Sequence, residues 1–135
     1  MQVHGACHCG AIAFEAVVDP ARVTICHCTA CQNLTGTAYR VTVAASAEGF
    51  RLTRGSPKTY IKVADSGNKR AQVFCAECGS RLYTSDLESF PGTVFVQLGS
   101  LDQPEVVAPK VEMFTRRRVH WNPPLDLPQF EGMPS

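Results

Sequence analysis

Apolar residues along this chain recur in short bursts, and hardly any burst keeps a helical period. "AIAFEAVV" (residues 11–18) and "TAYRVTVAA" (residues 37–45) are rich in β-forming residues, with an imperfect alternation of apolar and polar positions. "FRLTRG", "KTYIKVA", "AQVFC", "SRLYTS" and "TVFVQLGSL" continue the series. They are separated by "GSPK", "SGNK" and "FPGT", whose glycines, prolines and small polar residues mark turns. Two stretches interrupt the pattern: "DPARV" predicts one helical turn and "TACQNLTG" another. From Asn122, "NPPLDLPQFEGMPS" is proline-rich and predicts an irregular arm over the body. With no repeat and no linker in view, the expectation is a single mainly β domain, residues 1–121, with short antiparallel sheets and few short helices. Residues 122–135 pack on that same domain as its arm.

Composition narrows the picture only slightly. The 135 residues are enough to bury a core unaided, and 44% hydrophobic content argues against wholesale disorder. A formal net charge of +1 gives no global attraction to nucleic acid or acidic membranes. No apolar run approaches the roughly 20 residues that span a bilayer. "MQVHGACHCG" lacks the cationic segment and apolar run of a secretory signal, so the expected location is the cytoplasm.

The cysteines change the picture more. There are seven: Cys7 and Cys9, then Cys26, Cys28 and Cys31, then Cys75 and Cys78. In a reducing compartment disulfides are rare, and an odd count leaves a thiol over in any fully bridged monomer. Close-set C-x-C and C-x-x-C groups are instead the spacing of metal ligands, because thiolates about 2.3 Å from zinc must lie a little under 4 Å from one another. "FCAECGSRLY" and "CHCGA" each supply half a site, and two halves make a closed, structural one. The distance between them is no obstacle, since loop-closure cost rises slowly with length.

Cys26, Cys28 and Cys31 then remain as a local trio, which matches a metal site with three protein ligands and one open position. Spacing alone also permits Cys28 and Cys31 to close a site with Cys75 and Cys78, leaving Cys7, Cys9 and Cys26 together. The first partition is favoured because it keeps the trio intact. Three thiolates make zinc a poor acid toward water but a good match for a soft sulfur, so the expected fourth ligand is a substrate thiolate.

"GACHCGAIAFEA", "CHCTACQNLTGTAY" and "VFCAECGSRLY", with the later "FTRRRVHW" and "LPQFEG", resemble the glutathione-dependent formaldehyde-activating enzyme and centromere protein V family. The likeness covers nearly the whole chain and all seven cysteines. It implies a β-tent-like zinc fold holding two zinc ions, the second of them labile. It assigns Cys7, Cys9, Cys75 and Cys78 to a structural zinc and Cys26, Cys28 and Cys31 to a catalytic one. The implied activity is that of a carbon–sulfur lyase on S-hydroxymethylglutathione, the adduct of formaldehyde and glutathione, with the glutathione sulfur at the open position.

Other residues bear on this reading. Arg117 and Arg118, in the basic run 116–118, are candidate contacts for glutathione carboxylates; the competing reading is a solvated sheet edge. His27 lies between two ligand cysteines and should point off the metal if the backbone is extended, toward a supporting partner or solvent. His8 is read the same way, His120 as a surface histidine. Thr35, Gly36 and Tyr39 are candidate pocket residues, and Trp121 is expected to anchor packing. The alternative function is a non-enzymatic zinc module that carries glutathione or binds a protein or nucleic-acid partner. A methionine sulfoxide reductase would need a nucleophilic cysteine beyond Cys78, and a nucleobase deaminase an H-x-E motif; the chain has neither.

Overall fold

The computed structural model describes residues 1–64 and 66–134, so Ser135 at the end of the expected arm lies outside it. Nine strands and one short helix make up a mainly β protein. The longest strand, β2 (Ala13–Cys26), organises the rest. Its first half pairs antiparallel with β1 (Gln2–Ala6) and with β4 (Arg51–Arg54). Its second half, from Val23, pairs antiparallel with β3 (Arg40–Ser46) and parallel with β9 (Val111–Met113).

Between those halves lies "DPAR", where the β2–β3 register slips between Val18 and Val23. The helical turn expected at "DPARV" does not form. Pro20 offers no backbone donor, and the Ala21 N–H turns to Asp19 Oδ1 at 3.0 Å, so the segment loosens the ladder instead of nucleating a helix. Five residues are too few to nucleate one between two strongly β-forming flanks. "TACQNLTG" does become helix, α1 (Thr29–Thr35). β1 and β9 had not been expected from the sequence, and β9 is the parallel exception in an otherwise antiparallel sheet.

Beyond β3 the sheet continues through β8 (Thr93–Gln97), β7 (Arg81–Ser85) and β6 (Lys69–Phe74) to β5 (Lys58–Val63) at its edge. The inward positions of these strands form one core. Val23, Val43, Leu82 and Val96 are wholly buried, while Phe14 stacks on Phe50 at 5.2 Å and Phe50 meets Tyr83 at 4.5 Å. Each such side chain contributes about 1.5–3 kcal/mol through its burial. The tail from Asn122 runs back along β9. Glu112 N–H donates to Pro128 O (3.0 Å), Phe130 N–H to Glu112 O (2.9 Å) and Phe114 N–H to Gly132 O (3.1 Å).

Candidate metal centres

All seven cysteines are free thiols, gathered into two clusters. The first joins Cys7 and Cys9, in the turn between β1 and β2, to Cys75 and Cys78, in the turn between β6 and β7. Gly10 and Gly79 follow the two pairs with φ of +81° and +79°, left-handed backbone that a side chain would strain. Cys7 Sγ lies 3.7 Å from Cys9 Sγ, and Cys9 Sγ lies 3.8 Å from Cys75 Sγ. Sulfurs bound tetrahedrally to zinc would stand roughly 3.8 Å apart, so the four thiols fit such an ion. Ser80 ties the two turns together: its Oγ accepts from His8 N–H at 3.0 Å and lies 3.3 Å from Cys78 Sγ. That hydroxyl, with backbone N–H groups, holds the Cys78 thiol down at about 5. Cys9 is pushed up to about 12: a backbone donor at Ala11 works against the rise, but burial and three neighbouring thiols prevail.

The second cluster is Cys26, Cys28 and Cys31, all three sulfurs within 4.8 Å of one another. β2 ends on Cys26, Cys28 caps α1, and Cys31 lies in the first turn of the helix. Cys28 Sγ accepts the Cys31 N–H at 3.3 Å, as an N-cap should. Hydrogen bonds from Cys26 and then Cys31 hold the Cys28 thiol down at about 2 against the cost of burial, helped by that N–H and by the charge of Arg40. Cys26, bonded to those two thiols and buried, is driven strongly upward. Cys28 is the most exposed of the three. Among the described residues no fourth Cys, His, Asp or Glu joins it.

The family model described as glutathione-dependent formaldehyde-activating enzyme matches residues 2–117. The chain belongs to this family. A crystal structure of a Rhodobacter sphaeroides protein shares its fold, with a TM-score of 0.60 at 23% identity over 73% of this chain and 87% of that one. No curated protein matches the sequence. The family's association with glutathione and formaldehyde accords with two clusters able to hold metal ions, and zinc suits both donor sets. No helix among the described residues is long and apolar enough to cross a membrane.

Behind the trio stands a network invisible in the spacing. His27 is wholly buried, pointing away from the three sulfurs' side of the backbone as an extended strand end requires. Its Nε2 donates to Glu112 Oε1 at 2.7 Å, a direction fixed because a carboxylate only accepts. Glu112 also receives Gln129 Nε2 (2.7 Å) and Leu125 N–H (2.9 Å) on Oε2, with Arg118 Nη2 3.4 Å from Oε1. Burial opposes ionisation, but the bonds from Gln129, His27 and Leu125, with the Arg118 charge, hold the Glu112 carboxyl down at about 2. His27 N–H donates to Met113 O at 3.1 Å, and Gln32 Nε2 spans His27 O (2.8 Å) and Arg117 O (2.9 Å). The ligand loop is thus braced by β9 and the arm.

The remaining sequence candidates are scattered around this frame. Arg118 is turned inward onto Glu112 and Gln129, while Arg117 is exposed beside α1. Thr35 Oγ1 donates to Cys31 O at 2.7 Å, and the Tyr39 ring lies 5.5 Å from the His27 ring. Trp121 is 69% exposed and anchors nothing, because the arm turns inward through backbone bonds and Gln129 instead. A groove of about 410 Å³ runs along the outer side of α1, lined by Thr29, Ala30, Asn33, Leu34, Tyr60 and Lys62. Glu112, Gln129, Arg40, Arg81 and Ser80 escaped the sequence reading. The available signal was a single charge inside an otherwise β-forming burst, at Arg40 and at Arg81.

Proposed function

We propose that this protein is a carbon–sulfur lyase of the glutathione-dependent formaldehyde-activating type, making and breaking S-hydroxymethylglutathione at the three-cysteine centre in the cytoplasm. Cys7, Cys9, Cys75 and Cys78 hold a structural zinc in this reading, and Cys26, Cys28 and Cys31 hold the reactive one. The supporting observation is the contrast between four gathered thiols and three, the three having no fourth protein ligand among the described residues. When bound there, zinc would supply a soft, electrophilic open position that takes a thiol sulfur and lowers its pKa.

The chain's own residues do the rest. β2 and α1 fix the three sulfurs, and the His27–Glu112 pair holds the loop that carries them. Arg40 favours the thiolate forms of Cys28 and Cys31. Arg117 is free to meet a glutathione carboxylate, whereas Arg118 serves the same role only by sharing its charge with Glu112. In the forward direction the glutathione sulfur forms a bond to the aldehyde carbon, the carbonyl π pair moves to oxygen, and the thiol's proton ends on that oxygen. The reverse path breaks the carbon–sulfur bond.

Exchange NMR with labelled formaldehyde, glutathione and zinc-loaded protein tests the proposal. Interconversion should outpace the spontaneous reaction, and Cys28→Ala should remove the acceleration. Glutathione binding with exchange at the spontaneous rate would leave a carrier in place of an enzyme. Failure to bind glutathione would refute both.

A further inference from the structure

Two arginines near the trio pair with no carboxylate among the described residues. Arg40 opens β3 and is the cross-strand partner of Cys26, so its side chain leaves the sheet on the same face as that cysteine, within about 5 Å at Cβ. It is only 8% exposed, and its Nε is sealed from solvent with no acceptor. Arg81 opens β7, lies with its guanidinium 5.2 Å from the Phe74 ring centroid, and donates from Nε to Leu34 O at 2.9 Å. Its Nη1 is likewise sealed and unpartnered. Neither residue takes part in any ion pair among the described residues, although the exposed Arg51 and Arg70 each have a carboxylate. Burial and then the charge of Arg40 shift Arg81 downward.

Arg40 is buried and Arg81 half-buried, and a fold that seals an unpartnered guanidinium nitrogen on each is holding a place for negative charge. The thiolates account for Arg40, which faces them. They do not account for Arg81, which faces the carbonyl end of α1. Leu34, whose carbonyl Arg81 grips, also lines the groove along α1.

We propose that Arg40 and Arg81 form a carboxylate-binding subsite next to the three-cysteine centre, which selects an anionic thiol over a neutral one of the same shape. This rests on the thiol reading above and adds the chemical class of thiol and the residues that select it. An arginine pair suits a carboxylate because its planar forks can bind both oxygens, which lysines would not reproduce.

The test uses zinc-loaded full-length protein and two probes of equal size, 3-mercaptopropionate and 3-mercaptopropionamide, titrated by calorimetry. The acid should bind at least about tenfold more tightly than the amide at low salt, the scale of one hydrogen-bonded charge pair. Arg81→Gln should remove most of that preference while leaving amide binding unchanged, Arg81→Lys should restore only part of it, and Arg40→Gln should weaken the acid more than the amide. Equal binding of the two probes by the parent protein overturns the proposal, and needs no variant to fold. So does equal weakening of both probes in the variants, which would mean that the arginines only offset thiolate charge. A preference that survives both substitutions and vanishes in Arg117→Ala would move the subsite elsewhere. If the parent binds neither thiol, the proposed function falls as well, an outcome distinct from binding without discrimination.

Discussion

Replacing Glu112 with glutamine should cost far more than a single lost charge. The carboxylate is 2% exposed and accepts from three donors, His27 Nε2, Gln129 Nε2 and the Leu125 N–H, with Arg118 as its counter-charge. A glutamine offers one acceptor oxygen and turns an NH₂ toward donors, so at least one buried donor loses its acceptor and Arg118 loses its partner. Breaking a buried charged network of this kind costs about 3–5 kcal/mol. The depressed carboxyl gives a second route to the figure. A shift from 4.5 to about 2 corresponds to on the order of 3 kcal/mol of stability. The sign follows from the direction of that shift. Because the folded value lies below the unfolded one, the contribution is complete above pH 4.5 and is lost as pH falls toward 2. Chemical denaturation of wild-type and Glu112→Gln protein at pH 7 should differ by about 3 kcal/mol, or roughly 10 °C in Tm for a domain of this length. Acid strips metal from both proteins alike, so the quantity to follow is the gap between them, which should close between pH 4.5 and 2. A gap below about 1 kcal/mol at pH 7, or one that persists undiminished at the acid end, would refute the role given to the carboxylate.

Three further outcomes are expected. Metal analysis should find about two zinc ions per wild-type chain and about one in Cys28→Ala, which should still unfold cooperatively, whereas Cys75→Ala should lose cooperative unfolding altogether. Ending the chain after Trp121 removes the Leu125 and Gln129 donors to Glu112 and should lower stability by roughly 2–3 kcal/mol in the same denaturation assay. Trp121→Ala should stay within about 0.5 kcal/mol of wild type, since a side chain 69% exposed has little packing to lose.

The cysteine groups were legible in the sequence because each is local: C-x-C and C-x-x-C bring thiols together by backbone geometry within a few residues. The β-rich class was legible for a similar reason, from bursts too short and too β-branched for helix. What failed was reading single short segments whose partners lie far away. β9 is three residues long and exists because β2 and the arm flank it; Glu112 at its centre meets His27, 85 positions earlier. "QVHGA" reads weakly as strand, since glycine and histidine seldom favour one, yet its ladder to β2 runs through all five residues. At "DPARV" local turn signals were real but produced an irregularity in a long strand. Trp121 shows the converse error, because size alone argued for burial while the arm is held by backbone bonds and Gln129 instead.

How the quartet assembles was also beyond local reading, and it explains why the two clusters differ. The β1–β2 and β6–β7 turns stand four places apart in the strand order, so a flat sheet would hold Cys9 and Cys75 roughly 19 Å from each other at the usual strand spacing. They are in fact 3.8 Å apart, which means that the sheet curls until its first turn meets its sixth strand's end. The 66-residue separation of those cysteines makes their junction the long-range closure of the fold. An ion shared there would oppose a loop entropy of about 4 kcal/mol each time the curl opened. No such duty falls on the trio, which spans a single strand-to-helix connection and is braced from behind by Glu112. Its sulfurs can therefore exchange a ligand without straining the sheet. The proposed division of labour between a closed site and a reactive one accords with where the chain places the two clusters and with their ligand counts.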